Sequence, residues 1–129
     1  MNIGEAAKRA SLPPKTIRYY EDIGLVTPRR DDNGYRAFSD SDVHRLIFLG
    51  RARALGFTIE DCRALTALWA DSHRASADVR RIATDHLARI AVKIADLRAM
   101  QQTLSHLVST CAGDARPDCP ILHNLEHPA

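Results

Sequence analysis

Apolar residues recur at helical spacing in two short stretches at the start of the chain. The first helix is predicted to begin after Asn2, a good capping residue, and its apolar stripe is Ile3, Ala6, Ala7 and Ala10. Pro14 suits the first turn of a second helix, from Lys15 to about Asp22, which Gly24 ends. Two short helices joined by a tight turn predict a helix-turn-helix, whose second helix faces DNA.

A hairpin is predicted directly after these helices. Two β-prone segments, Leu25–Pro28 and Tyr35–Phe38, flank an Asn33-Gly34 step. Because Asn-Gly accommodates positive φ at both central positions, this pattern predicts a type I′ turn. A hairpin in this position is the wing of a winged helix-turn-helix.

Two further helices follow, and each has its own start signal. Ser39 with Asp42 opens the third helix and Thr58 with Asp61 opens the fourth, while Gly56 separates them. The apolar positions of the third are Val43, Leu46, Ile47, Leu49 and Leu55. Those of the fourth are Ile59, Cys62, Leu65, Leu68 and Trp69.

A long helix is predicted from about Ala77 to Val108, a stretch without Gly or Pro. Alternating steps of three and four residues form a heptad seam at Leu87, Ile90, Ile94, Leu97, Gln101, Leu104 and Val108. A helix of about 30 residues is about 45 Å long, more than the rest of this small chain can cover. The seam therefore predicts a homodimer interface, in which Gln101 is suited to fixing the register.

These elements predict a mainly α-helical chain with three segments. Residues 1–70 are predicted to form the winged helix-turn-helix with a two-stranded hairpin wing, and residues 77–108 the dimerisation helix. Residues 109–129 are predicted to form a metal-binding loop and a short helix with a frayed end.

Composition narrows the possible function. The chain has 129 residues, 45% of them hydrophobic, and a net charge of only +2, so any basic surface must come from local clustering. No apolar run is long enough to span a membrane and no export signal is present, which predicts a cytoplasmic protein without a membrane partner. The six histidines form no metalloprotease motif, and neither a nucleophile elbow nor a phosphate loop occurs. We therefore predict no catalytic residue and no enzyme activity.

Cationic and tyrosine side chains cluster on the second helix and on the hairpin. Such side chains reach phosphate oxygens and guanine edges, although a solvated polar face has the same composition. The predicted contacts to double-stranded DNA are Lys15, Thr16, Arg18, Tyr19, Arg30, Tyr35, Arg36 and Arg53.

Cys111 and Cys119 enclose a seven-residue loop that contains a Gly and a Pro and can point both sulfurs at one centre. Two soft thiolates without further donors suit a monovalent soft ion such as Cu(I), whereas Zn(II) normally takes four ligands. A disulfide, two unrelated thiols, or a zinc site that recruits His106 or His123 remain alternatives. Cys62 lies at a core spacing and is predicted to be an apolar filler.

Several motifs together resemble the MerR family of transcriptional regulators, and within it the copper-efflux (CueR) branch. The DNA-binding part of the resemblance is carried by Ile17–Glu21, Gly24–Pro28, Asn33–Arg36 and Arg53–Phe57. The effector part is carried by Ser76–Val79, Cys111 and Cys119.

The resemblance implies that two long helices pair antiparallel, so that Ser76 of one subunit approaches the cysteine loop of the other. Relatives that sense divalent metals tend to carry a cysteine at the position of Ser76, and the serine favours Cu(I), with Ag(I) and Au(I) as mimics. Copper regulators often place a lysine at the position of Arg80, where a cation offsets the charge of a bis-thiolate site.

The function implied is a Cu(I)-responsive homodimer that binds a palindromic promoter. In such regulators the metal-bound dimer distorts the DNA so that RNA polymerase activates copper-efflux and detoxification genes. The alternatives are a regulator of the same fold responding to Zn(II) or another divalent metal, and a DNA-binding regulator that senses thiol oxidation.

Overall fold

The computed structural model describes residues 1–127 and confirms a mainly helical fold with a hairpin wing and a long C-terminal helix. The helices are α1 (Ile3–Ala10), α2 (Pro14–Asp22), α3 (Asp40–Ala54), α4 (Ile59–Ala70), α5 (Ser76–Thr110) and α6 (Pro120–Glu126). The strands are β1 (Arg29–Arg30) and β2 (Arg36–Ala37). The chain divides into two compact units, of which the first is Met1–Ala83 and the second begins at Thr84, within α5. The end of the predicted 109–129 segment, residues 128 and 129, lies outside the described residues.

The predicted helix starts are confirmed by their capping hydrogen bonds. The side chain of Asn2 accepts from the N–H of Glu5 at 2.9 Å, and the hydroxyl of Thr58 accepts from Asp61 at 3.0 Å. Ser39 and Asp42 form a reciprocal capping box, with distances of 3.0 and 2.9 Å. Each bond satisfies a backbone donor that has no partner within its own helix, which is why these residues define where the helices begin.

The core of the first unit holds the recognition elements in place. Its largest fully buried side chains come from α2, α3, α4 and the segment before the wing: Ile17, Val26, Val43, Leu46, Leu49 and Cys62. Ile17 and Tyr20 anchor α2 to this core through one face, so the opposite face of α2 is presented to solvent. Not every apolar position predicted for α3 and α4 is buried, since Ile47, Leu55 and Trp69 are exposed.

The prediction of a type I′ turn in the wing is wrong. Residues 25–28 are not a strand, and Leu25, Val26 and Pro28 are buried instead. The strands pair Arg30 with Arg36, and the N–H of Gly34 donates to the Asp31 carbonyl at 3.0 Å. Gly34 has φ of +80° whereas Asn33 does not have positive φ, as expected for a three-residue loop with a glycine bulge.

The carboxylate of Asp31 explains this turn. It accepts hydrogen bonds from the N–H groups of Asn33 and Tyr35, both at 3.0 Å. A short aspartate side chain that bonds to backbone two residues ahead stabilises a turn in place of the two-residue alternative.

The long helix α5 has 35 residues, which corresponds to about 52 Å. The predicted seam residues on it are exposed in the single chain, apart from Ile90, which is half-buried. Among residues 1–127, no helix combines the length and the apolar character needed to cross a membrane.

Candidate functional site

The exposed face of α2 carries the predicted DNA contacts of the helix. Lys15, Arg18 and Tyr19 are exposed, whereas Thr16 is half-buried. Burial raises the pKa of the Tyr20 phenol, which points into the core and is not available to a ligand. The helix therefore presents two cations and one phenol on a single solvent-facing surface.

The wing presents a tyrosine beside its turn and two arginines in the strand pair next to it. Tyr35 is 72% exposed. The side chains of Arg30 and Arg36 both contact the carboxylate of Glu21 on α2, and the Arg36 Nε to Oε1 distance is 2.6 Å. The Arg36 side chain is only 24% exposed, so it forms a bridge between wing and helix as well as a predicted DNA contact.

Glu21 is absent from the predicted site although it lies one turn after Arg18. A sequence signal was available: a carboxylate on a helix that faces phosphates is unfavourable unless nearby cations neutralise it.

Arg53, the remaining predicted contact, is exposed and donates to the Phe57 carbonyl at 2.6 Å. Arg63 of α4 donates to the Ile23 carbonyl at 2.7 Å and was not predicted.

In the second unit, Cys111 and Cys119 converge. Cys111 directly follows α5, and its N–H donates to the Leu107 carbonyl at 3.1 Å. Cys119 is the residue before α6. Their sulfur atoms are 3.8 Å apart, far beyond the disulfide bond length of about 2.05 Å, so both are free thiols. Both residues are half-buried, which leaves them accessible from solvent.

The environment of Cys119 favours its thiolate form. The backbone amide of Leu122, in the first turn of α6, lowers the pKa of the Cys119 thiol. Partial burial opposes this effect, while the N–H of Ile121 and the thiol of Cys111 add to it. Since the thiolate is the form that binds metals, this arrangement prepares Cys119 to act as a ligand.

The third cysteine is different. Cys62 is fully buried in the first unit, and burial raises the pKa of its thiol. A neutral, inaccessible thiol behaves as a small apolar side chain, which confirms the packing role predicted for Cys62.

These two environments predict different alkylation rates. In the metal-free reduced protein at pH 7, iodoacetamide is expected to label Cys119 at least about tenfold faster than Cys62. Because the pKa of Cys119 is lowered, its labelling persists to a lower pH than that of an ordinary thiol. Mass spectrometry of timed samples measures both rates, and the chain unfolded in guanidinium is the control in which the two rates converge. Equal labelling in the folded protein would contradict the geometry.

The metal donors gathered in the second unit are two thiols. Among residues 1–127 of one chain, no group of three His, Cys, Asp or Glu side chains is placed to hold a metal ion. The two thiols are the soft donors that Cu(I) prefers. At a metal–sulfur bond of about 2.3 Å, however, the observed 3.8 Å corresponds to a bent arrangement, and a linear one needs about 4.6 Å. A linear site thus requires the sulfurs to separate slightly.

Ser76 and Arg80, predicted to lie beside the metal, are both exposed in the first two turns of α5 and belong to the first unit.

The second unit has an apolar groove of about 450 Å³. It is lined by Met100, Leu104 and Leu107 of α5 and by Leu125 of α6. The loop between the cysteines is braced by a 2.8 Å ion pair between Arg116 and Asp114.

The chain is similar to known transcription regulators along nearly its whole length. The family model for MerR HTH family regulatory proteins matches residues 1–68, and the model described as MerR, DNA binding matches residues 43–107. The chain is 58% identical to the transcriptional regulator HmrR of Rhizobium leguminosarum bv. viciae, over 97% of each protein. It is 42% identical to CueR of Salmonella typhimurium, over 97% of this chain and 91% of CueR.

A solved structure with the same fold is PbrR691 from Ralstonia metallidurans CH34 in complex with lead(II). It matches with a TM-score of 0.82 and 31% identity, over 97% of this chain and 98% of PbrR691. Regulators of this kind bind promoter DNA as dimers and act with RNA polymerase, and they are not enzymes. The chain therefore belongs to the MerR family, as a metal-responsive, DNA-binding transcription regulator.

Proposed function

We propose that this regulator responds to Cu(I) and that Cys111 and Cys119 are the metal ligands. The pair of facing thiols, 3.8 Å apart with no third donor in the described part of the same chain, is the observation that carries the proposal. Two thiolates satisfy a soft monovalent ion that accepts low coordination, whereas Zn(II) would lack two of its usual ligands. Ag(I) and Au(I) share this chemistry and are expected to act as mimics.

A divalent metal is the second candidate. The 3.8 Å separation between the sulfurs fits a bent S–metal–S arrangement without adjustment, and PbrR691 is a lead(II) complex. In an antiparallel dimer, the residue at position 76 of the partner approaches the loop. Here that residue is a serine, which is a poorer ligand for a borderline metal than a thiolate.

The first unit is proposed to bind each half of a palindromic promoter. The α2 face with Lys15, Arg18 and Tyr19 enters the major groove, while the wing lies along the flanking phosphates. Two α5 helices pair through the exposed seam and set the distance and angle between the two DNA-binding units.

Metal binding must favour one dimer geometry over another, because a ligand with equal affinity for both shifts nothing. Cys111 and Cys119 would each hold the metal through one thiolate, and this shared coordination would order the Cys111–Cys119 loop. Ile121, Leu122 and Leu125 of α6 then dock against the body of the dimer, and Arg80 offsets the negative charge of the site. Deforming the DNA so that the promoter aligns for RNA polymerase costs about 1–6 kcal/mol. The contacts of the altered dimer must offset this free energy.

A metal competition tests the effector. Anaerobic reduced protein is titrated with Cu(I) and with Zn(II) in the presence of a chelator for each ion, and thiolate–metal absorbance reports binding. We expect the protein to bind one Cu(I) per chain and to keep it in the presence of a strong Cu(I) chelator. We expect it to lose Zn(II) even to a weak Zn(II) chelator. Retention of Zn(II) against a strong chelator would favour the divalent alternative, and a response to peroxide but not to metal would favour redox sensing.

The serine at position 76 provides a gain-of-function test. Ser76→Cys adds a thiolate near the site of the partner subunit and is expected to raise Zn(II) affinity at least about tenfold, because a borderline ion gains a ligand. Ser72→Cys, in the exposed turn before α5, is the matched control and should leave Zn(II) affinity unchanged. Equal effects of the two variants would remove position 76 from the metal site.

A further inference from the structure

Three charged side chains join the recognition helix to the wing. Glu21 on α2 accepts from Arg36 Nε of β2 at 2.6 Å and from Arg30 Nη2 of β1 at 3.3 Å. The Glu21 side chain is 15% exposed, so the contact is largely shielded from solvent. Arg30 also donates through Nη1 to the Gly34 carbonyl at 3.4 Å, which links the same cluster to the turn of the wing.

The wing is fixed at its base and, nearer the turn, by Glu21. Its strands pair only at two registers, Arg29 with Ala37 and Arg30 with Arg36, and a two-stranded hairpin is marginally stable alone. At its base, the Phe38 N–H donates to the Met1 carbonyl at 2.7 Å. The N-terminal ammonium of Met1 donates to the Phe38 carbonyl at 2.8 Å, and the Phe38 side chain is buried in the core. Nearer the turn, the carboxylate of Glu21 holds one residue of each strand.

The carboxylate of Glu21 lies among side chains that are proposed to contact phosphates. It lies one helical turn from Arg18 on a helix proposed to face phosphates, where a free negative charge weakens DNA binding. Two arginines neutralise it, and both are themselves proposed DNA contacts. The two ion pairs thus offset the unfavourable charge of the carboxylate and fix the orientation of the two arginine side chains.

We propose that Glu21 is a positioning residue for DNA recognition: it holds Arg30 and Arg36 so that α2 and the wing engage DNA as one rigid surface. This inference rests on the proposed DNA contacts of α2 and the wing, and it adds that Glu21 contributes to sequence specificity rather than to general affinity. Without it, the arginines remain free to contact any phosphate, and the wing no longer keeps the register that matches the operator.

The test compares two variants that each remove one negative charge from α2. Glu21→Gln breaks the charged bridge, whereas Asp22→Asn alters the adjacent exposed residue, which forms no ion pair with any residue from 1 to 127. Binding is measured by fluorescence anisotropy to two duplexes. One is the duplex that the wild-type protein selects from a random pool, and the other has the same bases in scrambled order.

For Glu21→Gln, the ratio of specific to non-specific affinity is expected to fall at least about tenfold, with non-specific affinity unchanged or higher. For Asp22→Asn, both affinities should rise by the same factor, so that the ratio stays at the wild-type value. An unchanged ratio in Glu21→Gln, or an equal loss of both affinities, would overturn the proposal.

A second variant guards against misfolding of the first. Arg36→Lys keeps the positive charge but loses the Nε donor that contacts Glu21, so it should lower the ratio of specific to non-specific affinity as well.

Arg18→Ala distinguishes a failure of the Glu21 proposal from a failure of the proposed α2 interface. If Arg18→Ala leaves affinity for the selected duplex and its salt dependence unchanged, the α2 interface fails. If Arg18→Ala weakens binding and Glu21→Gln leaves the ratio intact, only the role of Glu21 fails.

Discussion

Replacing Cys111 or Cys119 by serine is expected to abolish metal-induced transcription while leaving operator binding within about twofold of wild type. Each substitution removes one of two donors, and a single remaining thiolate cannot hold the loop in its metal-bound form. The DNA-binding elements lie in the first unit and the thiols in the second, so the substitutions leave the core around α2 intact.

The measurement combines a promoter reporter with anisotropy on the same DNA. Transcription should stay at its basal value at every copper concentration, for either variant. Cys62→Ala is the matched control, since it removes a thiol outside the metal site, and copper should still induce transcription. Loss of DNA binding in both loop variants would instead make the loop a structural element of the dimer.

Placing two aspartates in the seam of α5 is expected to convert the dimer into monomers. Ile94 and Leu97 are 43% and 61% exposed in the single chain, and pairing with a second copy would cover them. In Ile94→Asp with Leu97→Asp, each subunit would bring two carboxylates into an apolar interface without partners, a cost of several kcal/mol. Sedimentation at micromolar concentration should give the monomer mass.

The control for the seam uses the opposite side of the same helix. Ala88 and Val92 are exposed and lie outside the heptad pattern, with Val92 at 61% exposure. Ala88→Asp with Val92→Asp adds the same charge to α5 and should leave the dimer intact. If the seam variant remained dimeric, or if the control variant dissociated, the interface would lie on another face of α5.

The helices could be predicted from the sequence because their start signals act locally. Ser39 and Thr58 bond to the N–H groups three residues ahead, within a single turn, so no tertiary contact is needed to place them. The packing role of Cys62 was predictable for a related reason, because its helical spacing puts it on the face that meets the core.

The wing turn could not be predicted from its Asn-Gly step alone. The deciding group is the carboxylate of Asp31, which lies two residues before Asn33 and satisfies two loop N–H groups. Such side-chain bonds compete with the backbone preference of the dipeptide, and the pattern of residue types does not show which one dominates.

The candidate site was predictable in residue type but not in arrangement. Spacing identified Cys111 and Cys119 as a pair, but the 3.8 Å separation and the lowering of the Cys119 pKa by the Leu122 amide depend on how α6 begins. The bridge from Glu21 to Arg36 spans 15 residues and joins a helix to a strand, so it arises only once the hairpin folds onto α2.

The coordination of the bound metal tests the central proposal most directly. X-ray absorption on anaerobically purified, Cu(I)-loaded protein should show two sulfur donors per copper and no nitrogen or oxygen at bonding distance. The same spectrum of the Cys119→Ser variant should lose that two-sulfur shell. Nitrogen or oxygen donors that complete a four-coordinate site in the wild-type protein would contradict the assignment of Cu(I) to a pair of thiolates.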